Sequence, residues 1–372
     1  MSENFSYVIY LEENNKMNKL FSTIILSLFA VCSLAQQAME LKQVPLSRWG
    51  IGAANYSGIT KIDGNRYAIV SDKEPKDGFF VFRIDQNATT GEVVSIYMEG
   101  FNGNPPPRTG TDGMTVRDCE GIAYFVPSNT LFISGEGDQQ ILEYNQNGLL
   151  TGRKLNIPSI FSLANIVPNY GFEALSYSAE THRFWTTTET MLPKDGAAAG
   201  PVHPNAQNLL RLQSFDDNLQ PAGQYAYKMD RGRNYDFGQT YVFGVPEITA
   251  LPNGKLVVLE REANISNGYL SSDVVCKLFL VNPNESWQID SNTNLYNLDP
   301  NKFMVKRLLC TFTTRLTPFN LTFANYEGMC LGQKLLDGRQ TLLLISDSQG
   351  GAGKAMFRLK DYMKVIILDE NI

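Results

Sequence analysis

One unit, written five times, constrains this chain more than anything else in it. From Asp118 to Gly137, DCEGIAYFVPSNTLFISGEG, an acidic, glycine-bearing start leads into an apolar run, a turn at Pro127-Ser128-Asn129, and a second apolar run that ends on another acid. The plan returns at Ser57-Gly58-Ile59-Thr60, Gly171-Phe172-Glu173-Ala174, Val245-Pro246-Glu247-Ile248 and Tyr326-Glu327-Gly328-Met329. Each copy reads as a β-hairpin, two strand-length runs around turn residues. Further strand-like runs follow each hairpin, such as Phe79 to Ile84 and Glu92 to Met98 after the first. Four-stranded units recurring at roughly 50 to 80 residues predict an all-β fold, a single β-propeller rather than a sandwich. No long stretch sustains helical periodicity. The wide spacings at residues 215 to 245 and 280 to 325 leave room for a degenerate extra copy, so six blades are expected, with five or seven as the alternatives. Met39 to Leu46 is strand-like without a nearby partner, and is expected to join the last blade and close the ring.

The N-terminus is set apart from the fold. Met17-Asn18-Lys19 followed by Leu20 to Val31 has the basic start and short apolar run of a secretory signal, with Ser33-Leu34-Ala35 as a small-x-small cleavage site. Residues 1 to 16 read as a misplaced start upstream of it. Cys32 fits a lipid-anchoring box poorly, because Val31 is not small. The expectation is export to the periplasm or medium, with residues 36–372 as one propeller domain. No other window approaches the roughly 18 apolar residues of a membrane span.

The leader holds three glutamates and two lysines, so the chain's net charge of −6 becomes about −5 without it. That mild acidity argues against a nucleic-acid or anionic-membrane partner. A monomer acting on a small molecule is expected. Cys119, Cys276, Cys310 and Cys330 show no CxxC spacing and read as buried thiols, with a Cys276 to Cys310 disulfide as the alternative.

Hairpin geometry gives the units a chemical meaning. An antiparallel return brings the end of the second strand beside the start of the first. Glu120 should therefore meet Glu136, Glu173 meet Glu189, Glu247 meet Glu260, and Glu327 meet Asp347, while Ser57 faces Asp72. In a propeller these carboxylates would ring one mouth of the axial channel. Unpaired, they would raise one another's pKa, and a hard cation such as Ca²⁺ would relieve them. The candidate metal ligands are thus Asp72, Glu120, Glu136, Glu173, Glu189, Glu247, Glu260, Glu327 and Asp347. Glu120, Glu173, Glu247 and Glu327, which open the first strands, are the candidate catalytic residues. The other reading is structural, each acid capping its own blade or pairing with Arg117, Arg261 or Arg315.

Other chemistry is scarce. With only His182, in a predicted turn, and His203, in a Pro-rich loop, a histidine zinc site or Ser-His-Asp triad lacks material. No GxSxG elbow occurs. Ser348 to Lys354 imitates a phosphate loop but lacks its first glycine and its Ser/Thr, and reads as a glycine-rich turn. Any hydrolysis would have to run on metal-activated water, with an anionic substrate held by a base. Lys73, Arg108, Arg261 and Lys354 are the candidates for that hold. The loops 99 to 117 and 191 to 207 are long enough to be functional.

EGIAY at 120 to 124, NYGFEALSYS at 169 to 178 and YEGM at 326 to 329 resemble the phytase-like domain family known as "esterase-like activity of phytase". The resemblance implies an exported β-propeller whose acidic residues form the working site, and hydrolase activity on phosphate or other esters. Tyr170 stands where the family often has Arg, and Ala174 where Gly is common, which removes an expected guanidinium at that point. Two readings stand beside it: a non-catalytic propeller binding a glycan, peptide or protein, and a lactonase-like metal propeller.

Overall fold

A computed structural model describes residues 37–104, 109–110, 116–233, 240–353, 357–370 and 372. The signal-like segment, Arg108 and Lys354 lie outside the described residues. Two short N-terminal strands, β1 (Ala38–Glu40) and β2 (Val44–Pro45), precede the first sheet of β3 (Tyr56–Asp63), β4 (Arg66–Ser71), β5 (Asp77–Gln86) and β6 (Val93–Asn104). The second sheet is β7 (Cys119–Phe125), β8 (Thr130–Gly135), β9 (Gln140–Tyr144) and β10 (Leu150–Lys154). The third is β11 (Phe172–Ser178), β12 (Arg183–Thr188), β13 (Leu209–Phe215) and β14 (Pro221–Lys228). The fourth is β15 (Thr240–Ala250), β16 (Leu256–Ile265), β17 (Asp273–Val281), β18 (Lys306–Thr317) and β19 (Asn320–Leu321). The last joins β20 (Asn325–Lys334), β21 (Gln340–Asp347) and β22 (Tyr362–Leu368) to β1, with β2 also on β22.

Each legible hairpin has become the inner half of one antiparallel sheet, giving five sheets among the described residues. Five was one of the counts the sequence left open. The spacings that favoured six hold no further sheet among the described residues: the stretch from 282 to 305 carries three 3-10 turns instead.

The ring shows in how the core divides. One apolar cluster packs the first sheet on the second, another the second on the third, and so on around, until Ile59, Tyr67 and Phe82 meet Leu343, Ile345 and Val365 between the last sheet and the first. Every blade thus buries both faces against neighbours, the solution a twisted sheet with two apolar faces requires. The glycine after the opening acid has its own reason. A Cβ on Gly121 would lie 2.4 Å from the Glu173 carbonyl oxygen, and one on Gly328 would lie 2.3 Å from that of Ser57. Inner strands approach backbone to backbone around the axis, and only hydrogen fits between them.

Every inner strand also carries a register shift at the same place. It falls between Tyr56 and Ile59, Cys119 and Ile122, Phe172 and Leu175, Gly244 and Glu247, and Tyr326 and Gly328. Such a bulge bends the strand and re-aims its side chains. In the second, third and last sheets the acid of the unit, Glu120, Glu173 or Glu327, sits on it.

Closure follows the expectation from the orphan N-terminal strand. Ala38, Met39 and Glu40 pair with Leu368, Ile367 and Ile366, Lys364 binds Glu40 at 2.7 Å, and Leu46 is buried in the core. Deleting residues 36 to 48 removes these ladder bonds, at about 1 kcal/mol each, and roughly 2 kcal/mol of Leu46 burial. The expected loss is about 5 kcal/mol, a fall in Tm on the order of 10 °C. Thermal melts of the truncated and full chains check this; superimposable melts would mean that β22 needs no outer partner.

All four described cysteines are buried and free. Cys276 pairs with Phe312 and Cys310 with Leu278, so the two thiols occupy adjacent strands without standing opposite each other. Among the described residues no helix is long and apolar enough to cross a membrane.

Candidate functional site

At the bulged ends of the inner strands lies a cavity of about 500 Å³, lined by Asp72, Asp118, Glu120, Glu136, Glu173, Glu189 and Glu327 together with Lys73 and Arg261. Tyr170, Asn169, Asn325, Tyr269 and Gln349 complete its polar wall. The hairpin argument therefore holds in space for four blades: acids from the first, second, third and last sheets open on one cavity.

The two cations divide the acids among themselves. Lys73 Nζ lies 2.8 Å from Asp72 Oδ2 and 3.0 Å from Asp118 Oδ1. Arg261 donates through Nη1 to Glu327 Oε1 at 2.6 Å and through Nη2 to Glu189. Asn325 Nδ2 donates to the same Glu327 oxygen at 2.7 Å. Glu120, Glu136 and Glu173 are left over. They offer oxygens all within 4.8 Å of one another. Glu136 accepts a hydrogen bond from Gly171 N at 2.9 Å. Glu120 and Glu173 accept none and close no ion pair among the described residues.

Burial and crowding drive these carboxyls toward their neutral forms. Removal from water, followed by repulsion from Asp72, Glu327 and the other acids, pushes Glu120 well above the ordinary range. Burial, then the charge of Glu120, does the same to Glu173. Burial lifts Glu136 to about 7 against the pull of Gly171 N, and lifts Glu327 to about 7 against the pull of Arg261. Seven carboxylates face two cations among the described residues, a crowding that disfavours full ionisation without further positive charge.

Three expected ring members, Glu247, Glu260 and Asp347, do not line the cavity, and the bulge explains the first two. Glu120, Glu173 and Glu327 each follow the last residue paired before the bulge, and in the fourth blade that place belongs to Val245. Glu247 comes two residues later, at the register of Ile122 and Leu175, and does not line the cavity. Its Oε1 accepts hydrogen bonds from Leu175 N at 3.0 Å and Ile248 N at 2.9 Å. Glu260 is likewise displaced: it is buried, accepting from Tyr227 Oη at 2.7 Å and Lys306 Nζ at 2.6 Å. Asp347 is buried behind the cavity wall, accepting from Gln349 N at 2.6 Å. Arg117, considered as a partner for the ring, instead binds Asp138 at 2.7 Å.

Asp118 was not singled out by the sequence reading. It immediately precedes β7, and its left-handed backbone, at a φ of 51°, was not something strand alternation could read. Tyr170 does line the cavity where a guanidinium was expected, but one arrives from another blade: Arg261 on β16 stands in register with Gly135 and Thr188 of the second and third sheets. The second long loop, around Gly196 to Gln207, lies away from this site and with Leu295 to Phe303 forms a separate cleft of about 620 Å³.

The family model described as "Phytase-like: Esterase-like activity of phytase" matches residues 51–349. No curated protein matches the chain. Among solved structures, the chain is similar to an endo-arabinase from Bacteroides thetaiotaomicron, at 14% identity and TM-score 0.42, covering 88% of this chain and 97% of that one. It is also similar to a GH43 β-xylosidase/α-arabinofuranosidase from a compost microbial metagenome, in complex with xylotriose and in calcium-free form, at 10% identity and TM-score 0.43, covering 89% and 94%. A PQQ-bound aldose sugar dehydrogenase from Streptomyces coelicolor aligns at 10% identity and TM-score 0.36, covering 88% and 98%.

Proposed function

The chain belongs to the phytase-like family, and from that premise we propose that it is an exported, Ca²⁺-assisted hydrolase of phosphate esters or related esters, working in the acidic cavity. The observation that carries the reading is the leftover trio. Glu120, Glu136 and Glu173 hold several oxygens in cation range, lack a basic partner among the described residues, and lie beside two bases that could receive an anion. An all-oxygen donor set from carboxylates suits a hard cation such as Ca²⁺ better than zinc or copper, which prefer nitrogen and sulfur.

Bound there, Ca²⁺ would supply Lewis-acid polarisation of a phosphoryl or carbonyl oxygen and a lowered pKa for water. The chain's own residues supply the rest. Lys73, about half exposed, and Arg261, buried, would orient the anionic end of the substrate. Glu327, outside the trio and lifted to about 7, is poised to take up a proton from water at neutral pH and return it to the leaving group. The polar wall of Asn169, Tyr170 and Tyr269 would contact the alcohol part.

A panel of phosphate monoesters, phosphate diesters and carboxylic esters tests this on the purified chain. Hydrolysis of at least one class should appear with calcium and fall by about 100-fold or more on chelation, the loss of a metal's several kcal/mol at the transition state. Equal rates with and without chelator would remove the cation from the chemistry, and a blank panel would favour a binding role for the cavity.

A further inference from the structure

The acids around Lys73 are only partly served by it. Its ammonium reaches Asp72 and Asp118, but the third acid of that group, Glu120, receives no bond from it. Asp72, Asp118 and Glu120 nevertheless present oxygens all within 4.8 Å of one another, the same closeness as in the trio Glu120, Glu136 and Glu173. Around one ion with Ca²⁺–O bonds of about 2.4 Å, opposite ligands stand about 4.8 Å apart, so each group can close on a single cation. Two further observations point to a missing ligand. Glu120 is only 8% exposed yet accepts no hydrogen bond, and Asp72 Oδ1 is buried with no partner among the described residues.

We propose that Asp72, Asp118 and Glu120 form a second divalent-cation site, that the tethered ammonium of Lys73 holds this site in the cation's absence, and that Glu120 is shared between the two cations. The proposal rests on the reading that Glu120, Glu136 and Glu173 hold the first. One positive charge from Lys73 serves two of three carboxylates; a divalent oxygen-seeking cation serves all three and uses the orphaned oxygens of Asp72 and Glu120. Lys73 is the natural piece to move. Its side chain is 51% exposed, whereas Arg261, the cavity's other base, is 4% exposed and fixed between Glu189 and Glu327. Once released, the Lys73 ammonium stays tethered at the cavity wall, free to meet the anionic group of a substrate. The second cation would thus exchange a locked base for an available one, coupling cation binding to anion binding.

Equilibrium dialysis of the full chain against Ca²⁺ at pH 8 separates the possibilities. At a free calcium level that saturates only the tight site, the parent should hold about one ion and Lys73→Met about two, the second site tightening at least about tenfold once the competing ammonium is gone. Adding Asp118→Asn to Lys73→Met should return the count to about one. If the parent holds one ion and Lys73→Met changes neither number nor affinity, the second site is refuted and the first stands. If the parent holds none but Lys73→Met gains one that Asp118→Asn removes, the Lys73 site stands and the trio reading falls. Should no variant hold calcium, both are refuted. Lys73→Met removes a half-exposed side chain, so folding is not at issue; circular dichroism of each variant confirms it.

Discussion

Without calcium, the protein is expected to lose stability steadily as pH rises from 5 to 8, and Glu173→Gln is expected to reverse its rank against the parent when calcium is added. The sign comes from the raised carboxyls. In the unfolded chain a glutamate ionises near 4.5, whereas folded Glu136 and Glu327 ionise only near 7, and burial pushes Glu120 and Glu173 well above the unfolded value as well. Between those values the folded state binds more protons than the unfolded state, so raising pH favours unfolding. Each such group costs about 1.4 kcal/mol for every pH unit it spans, so Glu136 and Glu327 together cost several kcal/mol by pH 8. Their stabilising contribution is complete below pH 4.5 and gone above about 7. A cation that binds only the folded, ionised site at about 100 times its dissociation constant returns roughly 2.7 kcal/mol. Calcium affinity should therefore climb with pH as the pH profile of stability flattens.

Glu173→Gln separates this from a capping role. Glutamine keeps the shape and an acceptor oxygen but has no proton to lose, so at pH 8 in chelator the variant should melt above the parent. With calcium the order should invert, because the site has lost a ligand charge. Thermal melts of both proteins at pH 5, 6, 7 and 8, with calcium and with chelator, make the check. Parallel curves with no crossing would mean that Glu173 is a structural residue of its blade.

How far this could be read from the sequence depends on what sets each position. The hairpins were legible because alternating apolar runs and turn residues such as Asp63-Gly64-Asn65 and Pro252-Asn253-Gly254 are local signals, and so was the closing strand, conspicuous for lacking a neighbour. Convergence of Glu120 with Glu136, and of Glu173 with Glu189, followed from antiparallel geometry alone. The bulge was not legible. It adds one residue to each inner strand, and its place depends on how neighbouring inner strands meet at the axis, where Gly121 lies against Glu173 and Gly328 against Ser57. In four blades the unit's own spacing absorbed the shift. In the fourth, EITA at 247 to 250 imitates EGIA at 120 to 123, although the bulge precedes Glu247 and puts Val245 where Glu120 stands. Blade number was underdetermined for a related reason: the long excursion from 282 to 305 looks the right length for strands, but it is held by Asp195 and Arg211, a buried pair distant in sequence. Arg211 donates to Asp195 at 2.7 Å and to the Asp290 carbonyl at 3.3 Å, while Asp195 accepts from Leu295 N at 2.9 Å.

The displaced acid yields the other large effect. Glu247 joins two blades at the middle of the ring, accepting backbone N–H bonds from Leu175 on β11 and Ile248 on its own strand. In the inner strands of the second and third sheets the same register holds Ile122 and Leu175, so a leucine there is sterically ordinary. Glu247→Leu nevertheless leaves those N–H groups buried without acceptors, at about 1 to 3 kcal/mol apiece. The expected cost is on the order of 5 kcal/mol, a drop in Tm of roughly 10 °C or more. Glu247→Gln keeps an acceptor oxygen in place and should melt within a few degrees of the parent. It should also keep the full calcium-induced rise in Tm, which Glu173→Gln loses, because Glu247 does not line the cavity. Melts of the two variants with calcium and with chelator decide between the roles. A Glu247→Gln protein that folds normally but ignores calcium would return this carboxylate to the cation site, whereas a Glu247→Leu protein as stable as the parent would show that the two N–H groups do not depend on it.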